Sequence, residues 1–93
     1  MDLRFYVDPE TGEPHLHRHG VSEAEAEDVL RQPLEDRPGR DGARVALGQT
    51  RDGRYLRVVY VPDAERGSAF VVTAFGLTFN ALRALRRRRK GKS

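Results

Sequence analysis

Three histidines fall within five residues, in the segment His15-Leu16-His17-Arg18-His19. An imidazole with an ordinary pKa of roughly 6.5 takes or gives a proton near neutrality, so this cluster is the first candidate for acid–base chemistry. The i, i+2 spacing of His15 and His17 would also suit a metal held against a strand. The chain has no cysteine, however, and no acid inside that segment, so surface imidazoles or phosphate ligands outweigh a zinc reading and no metal is expected. Arginine supplies 15 of the 17 basic residues, and its planar fork suits bidentate contact with phosphate. Arg54 and Arg57 sit three apart in one apolar run. If that run is a strand they point to opposite faces, so only one of them meets a given phosphate. Tyr60 shares parity with Arg54 and offers a phenol, although packing its ring in a sheet is the commoner role.

The charge is divided unevenly along the chain. Residues 1–80 hold 10 Arg against 14 acids, whereas residues 81–93 hold seven bases and no acid, so the net charge of +3 hides a basic end of +7. Arg83 and the block Arg86-Arg87-Arg88-Arg89-Lys90 can contact phosphates, but nothing aromatic follows Phe79 to stack on bases, so their contribution would be affinity rather than sequence reading. A solvated tail is the plainer alternative.

These groups must be positioned by a chain of 93 residues, 38% of them hydrophobic and none of them cysteine. That length predicts one domain over 1–93 with a modest core that rests on packing alone, residues 86–93 forming a basic tail. The longest mostly apolar run, Gly67 to Asn80, is short of a membrane-spanning helix, and the acidic N-terminus is unlike a signal peptide. A cytoplasmic protein is therefore expected.

Leu3 to Val7 reads as a strand closed by Asp8-Pro9, and His15 to His19 can return as a second short strand with all three imidazoles on one face. Ser22 and Glu25 have the spacing of a capping box, followed by a helix that Pro33 stops. Pro33 to Gly42 reads as a polar loop. Ala43–Gln49 and Tyr55–Val61 flank Asp52-Gly53, a hairpin signal, and Ala69–Phe75 follows as a central strand. Phe79, Leu82 and Leu85 then recur at helical spacing opposite the bases, with Thr78 or Asn80 as cap. The predicted class is α+β: an antiparallel sheet (strand, second short strand, helix, three-strand meander) with helices packed on one face and a basic C-terminal helix.

Phe5, Asp8-Pro9, His19-Gly20-Val21-Ser22, Gly48-Gln49-Thr50, Gly53-Arg54-Tyr55-Leu56, Val58-Val59-Tyr60 and Val71-Val72-Thr73-Ala74 occur in the order and spacing of one family. Over positions 5–74 the chain resembles the BrnT-like toxins. Arg18 stands where that family usually has Lys, and Phe75 where its last strand usually runs into a polar or basic residue. The resemblance implies a RelE-like fold, RNA cleavage without metal or cofactor, and a cognate antitoxin protein as partner in a type II toxin-antitoxin pair.

Cleavage of that kind needs a base for the 2'-hydroxyl, an acid for the leaving 5'-oxygen, and cations on the phosphate. His19 and Arg54 are the residues the resemblance favours as catalytic, in concert with His17 and Tyr60. His15, Arg18, Arg57, Arg83, Arg86, Arg87, Arg88, Arg89 and Lys90 remain as RNA-binding candidates, whether the message is free or ribosome-bound. Two other readings of the same scaffold stay open: a basic nucleic-acid binder without activity, and a protein-interaction domain that pairs through an exposed strand edge.

Overall fold

A computed structural model describes residues 2–63 and 65–91. Strand β1 (Asp2–Phe5) is followed by a 3-10 helix (His15–His19), helix α1 (Glu23–Arg31), strands β2 (Glu35–Pro38), β3 (Arg44–Gln49), β4 (Tyr55–Asp63) and β5 (Ser68–Gly76), and helix α2 (Phe79–Gly91). The five strands form one sheet in the order β1-β5-β4-β3-β2. The α+β class and the three-strand meander agree with the sequence reading. The sheet is mixed rather than wholly antiparallel, because β1 pairs in parallel with β5. That pairing joins segments more than sixty positions apart, and no local pattern announces it.

Two segments differ from expectation. His15–His19 is not extended: it winds into a 3-10 helix between Pro14 and Gly20, with Leu16 buried beneath it. Gly20 takes a left-handed conformation (φ 69°), and its N–H donates back to His17. Pro before and Gly after a short helix is a legible pattern, and here it prevails over the alternation of His with Leu and Arg. The stretch read as a polar loop contains β2, an edge strand paired antiparallel with β3. Its Glu35, Asp36 and Arg37 carry no apolar alternation, and charge on an edge strand is a usual guard against pairing with other chains.

Strand β4 is central and shows a two-residue alternation. Leu56, Val58 and Tyr60 are buried among Ala46, Val71 and Ala74 of the neighbouring strands, and Ala26, Val29 and Leu30 of α1 close over them. A bulge leaves Val72 unpaired between Val71 and Thr73, so that Val71 and Ala74 both face this core although three residues apart. Gly48 is required by the closeness of α1: a Cβ there would lie 3.0 Å from the Val29 side chain. The predicted capping box is present in full, with Ser22 accepting from the Glu25 N–H and Glu25 accepting from the Ser22 N–H. Such a cap is worth about 1 kcal/mol.

Tyr55, Arg57 and Val59 face the other way, alongside Gln49, Leu47 and Val45 of β3. Helix α2 crosses one end of this second face, so the helices do not share one side as expected. Thr78 caps α2 by accepting from the Ala81 N–H. Of the three apolar residues expected to dock α2, Leu85 is buried, Leu82 is partly buried, and Phe79 is 73% exposed with Arg83 over its ring. The arginines do the rest of the docking: Arg88 binds Glu35 at 2.7 and 2.9 Å, Arg89 donates to the Leu34 carbonyl, and Arg86 lies over the Tyr55 ring. Most of the expected 86–93 tail is thus a docked helix, with Lys92 and Ser93 outside the described residues. Val45, Arg57, Val59, Phe70, Thr73 and Phe75, beyond α2, are only partly buried, leaving an open sheet face.

Candidate functional site

Beyond Val71 the outer edge of β5 is no longer covered by β1, and the 3-10 helix takes its place there. That packing sets His19 against Phe75, with ring centroids 5.7 Å apart. His15 lies one turn back, 5.4 Å from His19, and Tyr6 continues the row 6.1 Å from His15. At the other end the Arg57 guanidinium sits 6.0 Å from the centre of the Phe75 ring, as the Arg57–Phe75 pairing across β4 and β5 requires. Tyr6, His15, His19, Phe75 and Arg57 therefore form one continuous row at the margin of the open face.

The histidines have diverged. His15 and His19 share the row, whereas His17 turns away, its Nε2 bound to Glu23 at 2.5 Å and its Nδ1 4.0 Å from Glu13. The bond from His17 holds the Glu23 carboxyl below its ordinary range. Three residues per turn cannot keep i and i+2 on one side, which an extended strand would have done. Behind His15 lies Asp8, only 5% exposed, which accepts from the Glu10 N–H at 2.9 Å, from Arg18 Nε at 3.0 Å, and faces His15 Nδ1 at 3.5 Å. The Glu10 bond foremost, then Arg18 and His15, depress the Asp8 carboxyl despite its burial. A carboxylate beside Nδ1 orients the ring and leaves Nε2 as its working nitrogen. Arg18 serves Asp8 and Glu10 rather than the open face.

Arg54 and Arg57 do lie on opposite faces, and their surroundings differ sharply. Arg54 clamps the joint between the 3-10 helix and α1: it donates to the Gly20 carbonyl at 2.6 Å, to the His19 carbonyl at 3.5 Å, and to both Glu25 oxygens at 3.4 Å. Glu25 thus caps α1 and holds Arg54 together. Arg57 makes no hydrogen bond or ion pair among the described residues, and its Nε is buried without a partner. One rung along β5, the Thr73 hydroxyl is also buried and unpartnered. A partly buried cation without a counter-charge carries a desolvation cost that an anion would relieve. Every other partly buried arginine, Arg44 and Arg54, is bonded.

Tyr60 is not brought to this row. It lies in the core on the α1 side, 9% exposed, and its hydroxyl donates to Asp36. Burial first, and Asp36 next, push its phenol up to about 12, which removes it from proton transfer near neutrality. It lies six positions on from Arg54, roughly 20 Å along an extended chain. Sequence reasoning singled out neither Asp8 nor Tyr6 for the site, and saw Phe75 only as a departure from a family pattern. Asp8-Pro9 was legible as a turn, but nothing in its spacing connects it to His15.

The more enclosed clefts lie elsewhere, for example about 310 Å³ between α1 and the β3–β4 turn, lined by Asp28, Arg31, Thr50 and Arg51. The row is by contrast an open margin, a shape suited to a polymer. Among the described residues no three His, Asp or Glu gather to hold a metal, and no helix is long and apolar enough to cross a membrane. No family model, no curated protein and no solved structure matches this chain.

Proposed function

We propose that the chain is a metal-independent endoribonuclease, the toxin half of a type II toxin-antitoxin pair with a RelE-like fold. The observation that carries the reading is Arg57, a partly buried guanidinium without a counter-ion, joined through Phe75 to two imidazoles. Arg57 would take the scissile phosphate in place of Arg54. One imidazole accepts the 2'-hydroxyl proton as that oxygen attacks phosphorus; the other delivers a proton to the 5'-oxygen as its bond to phosphorus breaks. A 2',3'-cyclic phosphate and a 5'-hydroxyl result, and the charge that builds on the phosphate between these states is held by Arg57. His15, oriented by Asp8, and His19 supply the pair of rings. Arg54 acts through the backbone of His19 and Gly20 as a positioning residue. The antitoxin partner is implied by the resemblance to BrnT-like toxins alone.

Purified protein should cut RNA in the presence of EDTA and leave cyclic-phosphate ends. Cutting that is abolished by EDTA and restored by a divalent ion would overturn the mechanism. No cutting of any RNA, ribosome-bound message included, would favour the inactive binder, a reading supported by the way His17 and Arg54 are already engaged within the chain.

A further inference from the structure

Four rings in single file are more than a proton-transfer site needs. Two imidazoles and a guanidinium would suffice for the chemistry, yet Phe75 and Tyr6 extend the row at both sides of the histidines. Tyr6 is 42% exposed and His19 is exposed, while His15 and Phe75 are partly so. Successive rings are turned against one another by 56°, 71° and 60°, so none lies flat on its neighbour. Base faces stack on aromatic side chains whatever the base, because every base has a π-face. The unpartnered Arg57 Nε and Thr73 hydroxyl at one end of the row ask for an anion. Rings in file with an uncompensated cation at the end match a chain of alternating bases and phosphates. An apolar protein segment would desolvate two imidazoles and leave Arg57 unpaired.

We propose that Tyr6, His15, His19 and Phe75 form a stacking track for unpaired bases, with Arg57 gripping the phosphate at its end, so that the ligand is a single strand bound with little sequence preference. This rests on the site proposed above and deepens it by naming the substrate class. A paired duplex hides its base faces and offers only phosphate, so it should bind weakly. Phe75, the residue that departs from the BrnT-like pattern, becomes the ring of this track nearest the phosphate grip.

The test uses the full chain and short 2'-deoxy oligonucleotides, which lack the attacking hydroxyl and so report binding separately from cleavage. A single strand, the same strand with abasic sites in place of its bases, and a duplex are titrated by fluorescence anisotropy. The bases should strengthen binding at least ten-fold over the abasic strand, and the single strand should bind more tightly than the duplex. Phe75→Leu keeps an apolar side chain but removes the π-face, and Tyr6→Ser alters an exposed ring; each should weaken single-strand binding by about 5- to 100-fold without changing abasic binding. Circular dichroism melts establish that both variants are folded. Equal binding of the abasic strand, or of the duplex, would overturn the track, as would unchanged affinity in folded Phe75→Leu and Tyr6→Ser. Base-dependent binding of deoxy strands without cleavage of RNA would leave the track standing and overturn the ribonuclease. Cleavage with base-independent binding would do the reverse.

Discussion

Exchanging Arg54, just before β4, or Arg57, within it, for methionine separates phosphate binding from scaffolding. Arg54 makes a charge-assisted bond of 2.6 Å to the Gly20 carbonyl and longer ones to Glu25 and His19. Bonds to charged groups contribute about 1.5–3 kcal/mol when shielded, but this side chain is 39% exposed. Discounting for solvent leaves about 1–2 kcal/mol, a fall in Tm of about 5–15 °C for a domain of this size. Arg57→Met forfeits a cation–π contact at 6.0 Å, worth about 0.5 kcal/mol, and removes a buried, unpaired Nε that costs about 1–3 kcal/mol. Its Tm should hold or rise. On RNA cleavage the order reverses: losing a charge that meets the developing phosphate anion should slow the chemical step by about 10²–10³, with Arg57→Lys between the two because it keeps charge but not the fork. Differential scanning fluorimetry and single-turnover cleavage measure both quantities on the same samples. A destabilised Arg57→Met beside a stable but inactive Arg54→Met would refute the assignment and restore Arg54 as the phosphate ligand.

Among the histidines, His15→Ala and His19→Ala should each slow cleavage roughly ten- to a thousand-fold, whereas His17→Ala, whose ring is spent on Glu23, should leave the rate within about two-fold of wild type; a His17 effect equal to that of His19 would contradict this division. Asp8 is held below its ordinary carboxylate range, so its contribution is present above about pH 4 and lost as pH falls through the lowered pKa; melts at successively lower pH should show the advantage of wild type over Asp8→Asn shrink, and an advantage that grows on acidification would contradict the ion pair with Arg18. Tyr60, raised to about 12, stabilises below the unfolded value of about 10 and ceases to do so as pH climbs through 12; the phenolate absorbance step near pH 12 should disappear in Tyr60→Phe, and a step near pH 10 from this residue would refute its burial with Asp36. Truncation after Leu85 removes Arg88 and Arg89 with their bonds to β2 and Leu34, so it should lower Tm as well as flatten the salt dependence of RNA binding, by roughly 0.7 per lost phosphate contact; an unchanged Tm would mean that these arginines do not dock α2.

What the residues settle by themselves is whatever depends on neighbours in the chain. The capping box of Ser22 and Glu25, the end of α1 before Pro33, the Asp52-Gly53 hairpin and the two faces of β4 follow from spacing of two to four residues, and all are present. The 3-10 helix too is marked locally, by Pro14 before it and Gly20 after it. Naming His19 as a candidate was also a sequence inference, carried by the family resemblance and not by local spacing. The identity of its neighbours was not. Strand β2 has no apolar pattern and exists through its ladder to β3 and the Glu35–Arg88 ion pair with α2. The parallel pairing of β1 with β5 stops at Val71, and only that early ending opens the edge where His19 meets Phe75. Parity showed that Arg54 and Arg57 oppose each other; which one stays free depended on what covered each face. Packing of α1 turned Arg54 toward Gly20 and Glu25, and placement of α2 at the far end of the sheet left Arg57 without a partner. Such choices rest on contacts between residues tens of positions apart, whose energies no local window of sequence contains.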